Sequence, residues 1–103
     1  MPRYIIRFKA NPAAWPTDPA ALVGIWEGVI AGGNRLLADG TLSEIGWISN
    51  TEGYALLQAP SKDVALGVAT PFFPFFSQEI DEAVPWEKGA AAILGGARTA
   101  AGK

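Results

Sequence analysis

The residue types in this 103-residue sequence restrict the chemistry that the chain can perform. It contains no cysteine and no histidine, which removes thiol nucleophiles, disulfides, Cys-ligated metals and the commonest general base. Carboxylates, arginine, lysine, tyrosine, hydroxyls and tryptophan remain. If the chain is catalytic, we therefore expect proton transfer by a carboxylate beside a cationic anchor.

One set of residues suits such chemistry. Arg7 can clamp a carboxylate through its forked guanidinium, and Glu44 can move a proton. The aromatic residues predicted to line a ligand pocket with them are Trp26, Trp47, Tyr54, Phe72, Phe75 and Phe76. An apolar cavity with a few converging polar groups is typical of small-molecule sites. The alternative is that the aromatics are ordinary core and the charges lie at a wet interface.

Other kinds of site find little support. Glu79, Asp81 and Glu82 form an acidic cluster, but strand alternation places Glu82 on the face opposite the other two. No glycine-rich loop follows a phosphate-binding pattern. We therefore predict neither a metal site nor a cofactor.

Composition favours one domain, residues 1–103, that associates with copies of itself. Half of the residues are apolar and only 17% are charged, fewer than an isolated small domain normally carries. A partner that covers apolar surface explains this deficit.

The net charge of −2 and the lack of a basic run argue against nucleic acid as a partner. The lack of a long apolar run argues against a membrane. The charged N-terminus does not resemble a signal peptide, so a cytoplasmic location is expected.

The first half of the chain predicts a strand followed by a long helix. The residues from Tyr4 to Phe8 alternate between the two faces of a strand. Tyr4 and Phe8 lie on one face, and Arg7 lies on the other. Asp18 before Pro19 predicts a helix start, and Gly40 predicts its end. Apolar residues at three- and four-residue spacing form one stripe of the helix over 19–39: Leu22, Ile25, Trp26, Val29, Ile30, Gly33, Leu36 and Leu37.

The second half predicts three more strands and two helices. Strands are expected over 41–49 and 54–58, joined by a turn at 50–53, and over 78–84. Ser61 begins a short helix that reaches about residue 69, and a C-terminal helix covers about 86–102. The order is βαββαβ plus one helix, an α+β chain of the ferredoxin-like kind. Arg3 and Arg7 are then expected opposite Glu79 and Asp81, as ordinary cross-strand ion pairs or as part of a site.

Two helices carry faces of small residues. The first presents Gly24, Gly28 and Gly32, and the C-terminal helix consists largely of alanine and glycine. Small side chains let helix backbones approach closely. We predict that the C-terminal helix packs on such a face, in its own or a neighbouring subunit. The alternative is a partly frayed tail.

The stretch from Gly53 to Trp86 resembles the muconolactone isomerase family. The matching features are a strand with Tyr54-Ala55, a Pro60-Ser61 helix start and the proline-aromatic elbow over residues 71–76. The Pro85-Trp86 ending is similar to YCII-like domains, although their His-Asp pair is missing here. The resemblance implies a dimeric α/β barrel, in which two sheets face each other. It also implies larger rings and a cofactor-free site for a small aromatic or lactone-like acid.

The function expected from these observations is binding of a small molecule by a homo-oligomer. If the protein is an enzyme, we expect a cofactor-independent isomerase of a lactone or related acid. In that case Arg7 anchors the substrate and Glu44 moves the proton. The alternative is a non-catalytic scaffold whose apolar surfaces are all consumed in assembly.

Overall fold

The computed structural model describes residues 1–72 and 74–102. It is an α+β structure with a four-stranded antiparallel sheet, an arrangement compatible with a ferredoxin-like fold. The strands are β1 (Arg3–Ala10), β2 (Glu44–Trp47), β3 (Glu52–Gln58) and β4 (Phe76–Ala83). The α-helices are α1 (Pro19–Ala38), α2 (Lys62–Ala69) and α3 (Trp86–Ala101). Phe73, part of the predicted aromatic elbow, lies outside the described residues.

The sheet is organised around β1. Its strand order is β2-β3-β1-β4, so β1 pairs with β3 on one side and with β4 on the other. Tyr4 and Ile6 project from β1 into the core. The other buried side chains of the core come from β3, β4, α2 and the connections that precede β2 and α2: Leu42, Ala55, Leu57, Ala59, Ala65, Ala69, Phe76 and Ile80. One face of the sheet therefore carries the core.

The ends of α1 follow the predicted capping chemistry. The Asp18 carboxylate accepts a hydrogen bond of 3.0 Å from the Ala21 backbone N–H, and Pro19 occupies the first turn. At the other end Gly40 has φ of +79°, a conformation that glycine adopts without steric cost. Between these ends no side chain of α1 is fully buried, so the helix packs loosely in the single chain.

The predicted second strand was too long. Residues 41–43 form a turn in which the Asp39 carboxylate accepts from the Thr41 N–H at 2.9 Å and the Leu42 N–H donates to the Leu36 carbonyl at 3.1 Å. Strand alternation does not apply there. Alternation along a strand over 41–49 would put Leu42 on the face opposite Ile45 and Trp47, but Leu42 is buried in the core beside Ile45.

The predicted turn at 50–53 was also displaced. Ser49 accepts hydrogen bonds from the backbone N–H groups of Thr51 and Glu52, which closes the hairpin earlier. Gly53 therefore belongs to β3, where it lies opposite both Phe8 and Trp47. A Cβ atom at this position would overlap the Phe8 ring and would lie 2.5 Å from the Gly46 carbonyl oxygen. Only glycine leaves room for the two large rings beside it.

The C-terminal helix projects from the body. The molecule measures 63 × 28 × 21 Å and its radius of gyration is 17.6 Å, against about 13 Å for a compact domain of 100 residues. Every residue of α3 is exposed except Gly89 and Ala90, which are half-buried near Val84. Its packing against its own chain is confined to its first turn.

Replacing Gly53 by alanine is expected to destabilise the fold by roughly 1–3 kcal/mol, because the added methyl group would overlap the Phe8 ring. The matched substitution at Gly67 in α2 meets no atom within 4 Å. It is expected to stabilise the fold by about 0.5–1 kcal/mol, since alanine favours the helix. Urea denaturation followed by circular dichroism measures both effects. An alanine at position 53 that leaves the fold as stable as before, or makes it more stable, would contradict the packing of Phe8 on Gly53.

Candidate functional site

Strand alternation separates the side chains of the sheet into two faces. Phe8 of β1, Trp47 of β2 and Phe76 of β4 lie on the face that holds the core, which we call the helix-side face. Arg7, Tyr54 and the other side chains of opposite parity lie on what we call the open face. The charged residues of the open face are exposed except Glu52, which is half-buried.

The helix-side face carries a connected cluster of aromatic rings. Phe8 meets Trp47 and Phe76 edge to face, with ring centroids 5.4 and 5.3 Å apart. Trp26 of α1 lies 5.6 Å from Trp47 and 4.8 Å from Trp15. Edge-to-face contacts of this kind contribute about 0.5–1.5 kcal/mol each beyond simple burial. The cluster connects α1 to the sheet at the end where β2 carries the exposed Trp47 and β4 begins with the buried Phe76.

Trp15 attaches the aromatic cluster to the segment before β4. It follows a short 3-10 turn at Pro12–Ala14, and its indole N–H donates a hydrogen bond of 2.7 Å to the Phe75 carbonyl. Its ring also lies 5.5 Å from Phe76. The N-terminal loop and the end of the aromatic elbow are therefore held together beside the cluster.

A cavity of about 210 Å³ adjoins the cluster, between α1 and the sheet. Phe8, Trp47, Phe72 and Phe76 supply its aromatic wall. The remaining lining residues are mostly aliphatic, with two amides among them: Ile6, Val29, Ile30, Gly33, Asn34, Leu36, Leu37, Leu42, Ile45, Ala55, Val68, Ala69 and Gln78. The cavity is therefore an apolar chamber with two uncharged hydrogen-bonding groups.

The cavity opens between α1 and the edge strand β2. Ile30 and Leu37 of α1 and Trp47 of β2 all line the cavity and are also exposed to solvent. Gln78 lies deeper, where its amide nitrogen donates to the Ala69 carbonyl at 3.1 Å. Asn34 is exposed and lies on α1 between the two mouth residues of that helix. A ligand can therefore meet one amide at the mouth and the other inside.

Arg7 lies on the open face and is held by two carboxylates. Its guanidinium lies 2.6 Å from Asp81 and 3.8 Å from Glu79 of β4, so the predicted cross-strand pairing is present for Arg7. All three side chains are exposed, and such pairs contribute about 0.2–1 kcal/mol. An anionic ligand can use Arg7 only by displacing or sharing the Asp81 carboxylate.

Tyr54 and Glu44 form the second polar pair of the open face. The Tyr54 hydroxyl donates a hydrogen bond to the Glu44 carboxylate. Its ring lies over Gly46, where a Cβ atom would be within 2.6 Å of the hydroxyl oxygen. The hydrogen bond to Glu44, together with burial, raises the pKa of Tyr54 above its ordinary value of 10.0. Tyr54 also lies directly opposite Arg7 in the register of β1 and β3.

The structure therefore divides the predicted site residues between the two faces. Trp26, Trp47, Phe72 and Phe76 are together on the helix side, where all but Trp26 line the cavity. Arg7, Glu44 and Tyr54 are together on the open face. The sheet separates the aromatic wall from the groups that were predicted to work beside it.

Sequence reasoning missed four residues of the helix-side site. Phe8 and Gln78 were detectable, because alternation puts them on the same faces as Ile6 and Phe76. Asn34 was detectable from its position between Ile30 and Leu37 on α1. Trp15 follows an irregular proline-rich loop, and no periodic pattern marks its contacts.

Among residues 1–72 and 74–102, no group of acidic side chains is arranged to hold a metal ion. Glu79 and Asp81 are both near Arg7, whereas Glu82 lies opposite Tyr4 in the sheet register. Within the same residues, no helix combines the length and the hydropathy needed to cross a membrane.

Searches of known protein families and of curated proteins find no match to this chain.

Replacing Glu44 by glutamine is expected to shift the ionisation of Tyr54 to lower pH, because the carboxylate that holds the phenolic proton is removed. The hydrogen bond from Tyr54 to Glu44 stabilises the fold fully below pH 10.0, which is the ordinary pKa of tyrosine. It is lost as the pH rises through the folded-state pKa, since the unfolded chain releases the proton first. Ultraviolet absorbance of tyrosinate in a Tyr4→Phe background, which leaves Tyr54 as the single tyrosine, measures the shift. Glu79→Gln, also on the open face, serves as the control and is expected to change little.

Proposed function

We propose that this protein is a homo-oligomeric binding protein for a small, largely apolar ring compound. The observation that carries the proposal is the apolar cavity of about 210 Å³ between α1 and the sheet. An apolar protein cavity of about 150 Å³ stays dry and accepts benzene. A cavity of this size therefore suits one substituted ring, and Asn34 and Gln78 can orient a hydroxyl or carbonyl group on it.

Several features support the homo-oligomeric part of the proposal. Large apolar side chains remain exposed on α1, on β2 and on α3, as expected for surfaces that a partner covers. Ile5 and Leu56 lie half-buried among the charges of the open face. In a dimeric α/β barrel, as the resemblance to muconolactone isomerases implies, two such faces pack against each other.

The binding proposal is tested by calorimetric titration with uncharged single-ring probes, such as phenol and indole, and with benzoate. We expect binding of phenol and indole. Val68→Trp is expected to weaken it at least about tenfold, because the indole group would occupy volume within the cavity. Val64→Trp is the matched control, since Val64 is exposed one turn earlier in α2 and does not line the cavity.

Two further variants locate the ligand with respect to the sheet. Arg7→Ala and Glu44→Gln alter only the open face, so they are expected to leave binding in the cavity unchanged. If the wild-type protein binds none of the probes, the cavity proposal fails. The remaining role of the exposed apolar surfaces is then assembly, and the protein would be a non-catalytic scaffold.

A second candidate function is proton transfer on the open face. The hydrogen bond from Tyr54 to Glu44, with Arg7 opposite Tyr54 on the next strand, supports it. Glu44 would accept a proton from carbon, Tyr54 would hold the carboxylate in position, and Arg7 would attract the substrate anion. The pair is exposed in the single chain, so a second copy that packs on this face would have to exclude water from it. This is the cofactor-independent isomerase chemistry that the resemblance implies.

The proton-transfer proposal predicts exchange of a carbon-bound proton for deuterium. The probe is a small unsaturated lactone bearing a carboxylate, incubated with the protein in heavy water and followed by NMR. Glu44→Gln is expected to abolish the exchange, whereas Tyr54→Phe is expected to reduce it. Asp81→Asn frees Arg7 from its nearest carboxylate and is expected to tighten binding of the anion. Exchange that survives in Glu44→Gln would exclude Glu44 as the base.

A further inference from the structure

The C-terminal helix carries an apolar stripe that no other element among residues 1–72 and 74–102 covers beyond the first turn of the helix. Trp86, Ala90, Ile93, Ala97 and Ala100 follow one another at alternating spacings of four and three residues, the pattern of a coiled-coil seam. Trp86 is 86% exposed and Ile93 is 75% exposed. A seam of this kind normally contacts another helix.

A short connection leads from β4 into α3, and the helix leaves the body at this point. Only Val84 and Pro85 separate β4 from α3, and Pro85 has φ of −55° and ψ of 146°. Proline restricts φ, so the direction of the helix is set at this point. A 16-residue helix that contains several glycines is marginal in water without a packed face. A helix from another molecule would supply such a packed face.

The matching surface is on α1. Val23, Ile30 and Leu37 follow at intervals of seven residues and are 55%, 52% and 41% exposed. This second seam, from Val23 to Leu37, contains fifteen residues and therefore fourteen helical steps, as does the seam from Trp86 to Ala100. Each is therefore about 21 Å long at 1.5 Å per residue. Ile30 and Ile93 are the midpoints of the two seams.

We propose that α3 of one copy packs antiparallel along the Val23–Leu37 seam of α1 in a second copy. Antiparallel alignment pairs opposite ends of the two helix dipoles. It also brings Arg98 of α3 near Glu27 of α1, because each lies within about one turn of the paired ends Ala100 and Val23. The projection of α3 from the body then has a structural role, which is to reach the partner.

The pairing also completes the cavity of the second copy. Ile30, Asn34 and Leu37 belong to the α1 face under the incoming helix, and all of them line the cavity at its mouth. The partner's helix therefore covers the opening and places its own apolar side chains there. This consequence rests on the proposed binding function, whereas the helix pairing does not.

The absence of cysteine from the sequence makes disulfide cross-linking a clean test. Each engineered cysteine is the only thiol in its chain, and a tag on one variant identifies products that contain both chains. Ile30→Cys mixed with Ile93→Cys is expected to form the mixed disulfide at least about tenfold faster than Val64→Cys mixed with Ile93→Cys, because packing raises the effective concentration of the thiols. Val64 is exposed on α2 and lies outside the α1 seam.

The ends of the seams report the orientation. Val23→Cys is expected to react with Ala100→Cys and not with Trp86→Cys when the helices are antiparallel. The reverse preference would overturn the antiparallel arrangement.

A competing surface is the groove between α1 and α2, a cavity of about 380 Å³ that Gly28, Gly32 and Gly67 help to line. Faster reaction of Ile93→Cys with Gly28→Cys than with Ile30→Cys would place α3 in that groove and overturn the proposal. Rates that never exceed the Val64→Cys control would overturn it as well.

The ligand experiment separates this inference from the proposed function. Val68→Trp in the Ile30→Cys chain is expected to leave cross-linking unchanged, although it blocks the cavity. In the cross-linked protein, dissociation of phenol is expected to slow by at least about tenfold, since the mouth is covered. Cross-linking without any phenol binding would support the helix pairing and refute the binding function. Unchanged dissociation would show that the helix does not cover the mouth.

Discussion

The pairing of β1 with two neighbours is the constraint on which the rest of the structure depends. β1 lies between β3 and β4, so its alternation sets the parity of the strands beside it. Residues of one parity enter the core with Tyr4 and Ile6, and residues of the other parity form the open face with Arg7. A slip of one residue would exchange the two sets and bury charged side chains. The aromatic cavity and the polar pairs are thus separate consequences of one register.

Much of the fold was predictable because each element has a local signal. Asp18-Pro19 and Gly40 mark the ends of α1, and the spacing of apolar residues marks its length. The turn errors around β2 have a different origin. The hydrogen bonds of Asp39 to Thr41 and of Ser49 to Thr51 decide where the strand begins and ends, and a side chain that bonds its own backbone leaves no periodic trace.

The site was predictable in its parts and not in its arrangement. Alternation within the first strand already separates Arg7 from Phe8, and within β2 it separates Glu44 from Trp47. The prediction nevertheless placed Arg7 and Glu44 in one pocket with Trp47, because the aromatic residues and the charges were chosen by chemical type. The contact of Tyr54 with Glu44 depends on the register of β2 with β3, which the turn at Ser49 sets. That contact is therefore a property of tertiary structure.

The order of the strands along the chain has a consequence for synthesis. β1 is translated before both of its partners, and it pairs with residues 52–58 and 76–83. Its apolar side chains, which form the centre of the core, lack the neighbours that β4 supplies until that strand has left the ribosome. Contacts that join such distant segments form slowly, and exposed apolar strands associate with other chains in the meantime. The sheet is therefore completed only after β4 has been translated, and β1 is the part of the nascent chain that waits longest for its full set of contacts.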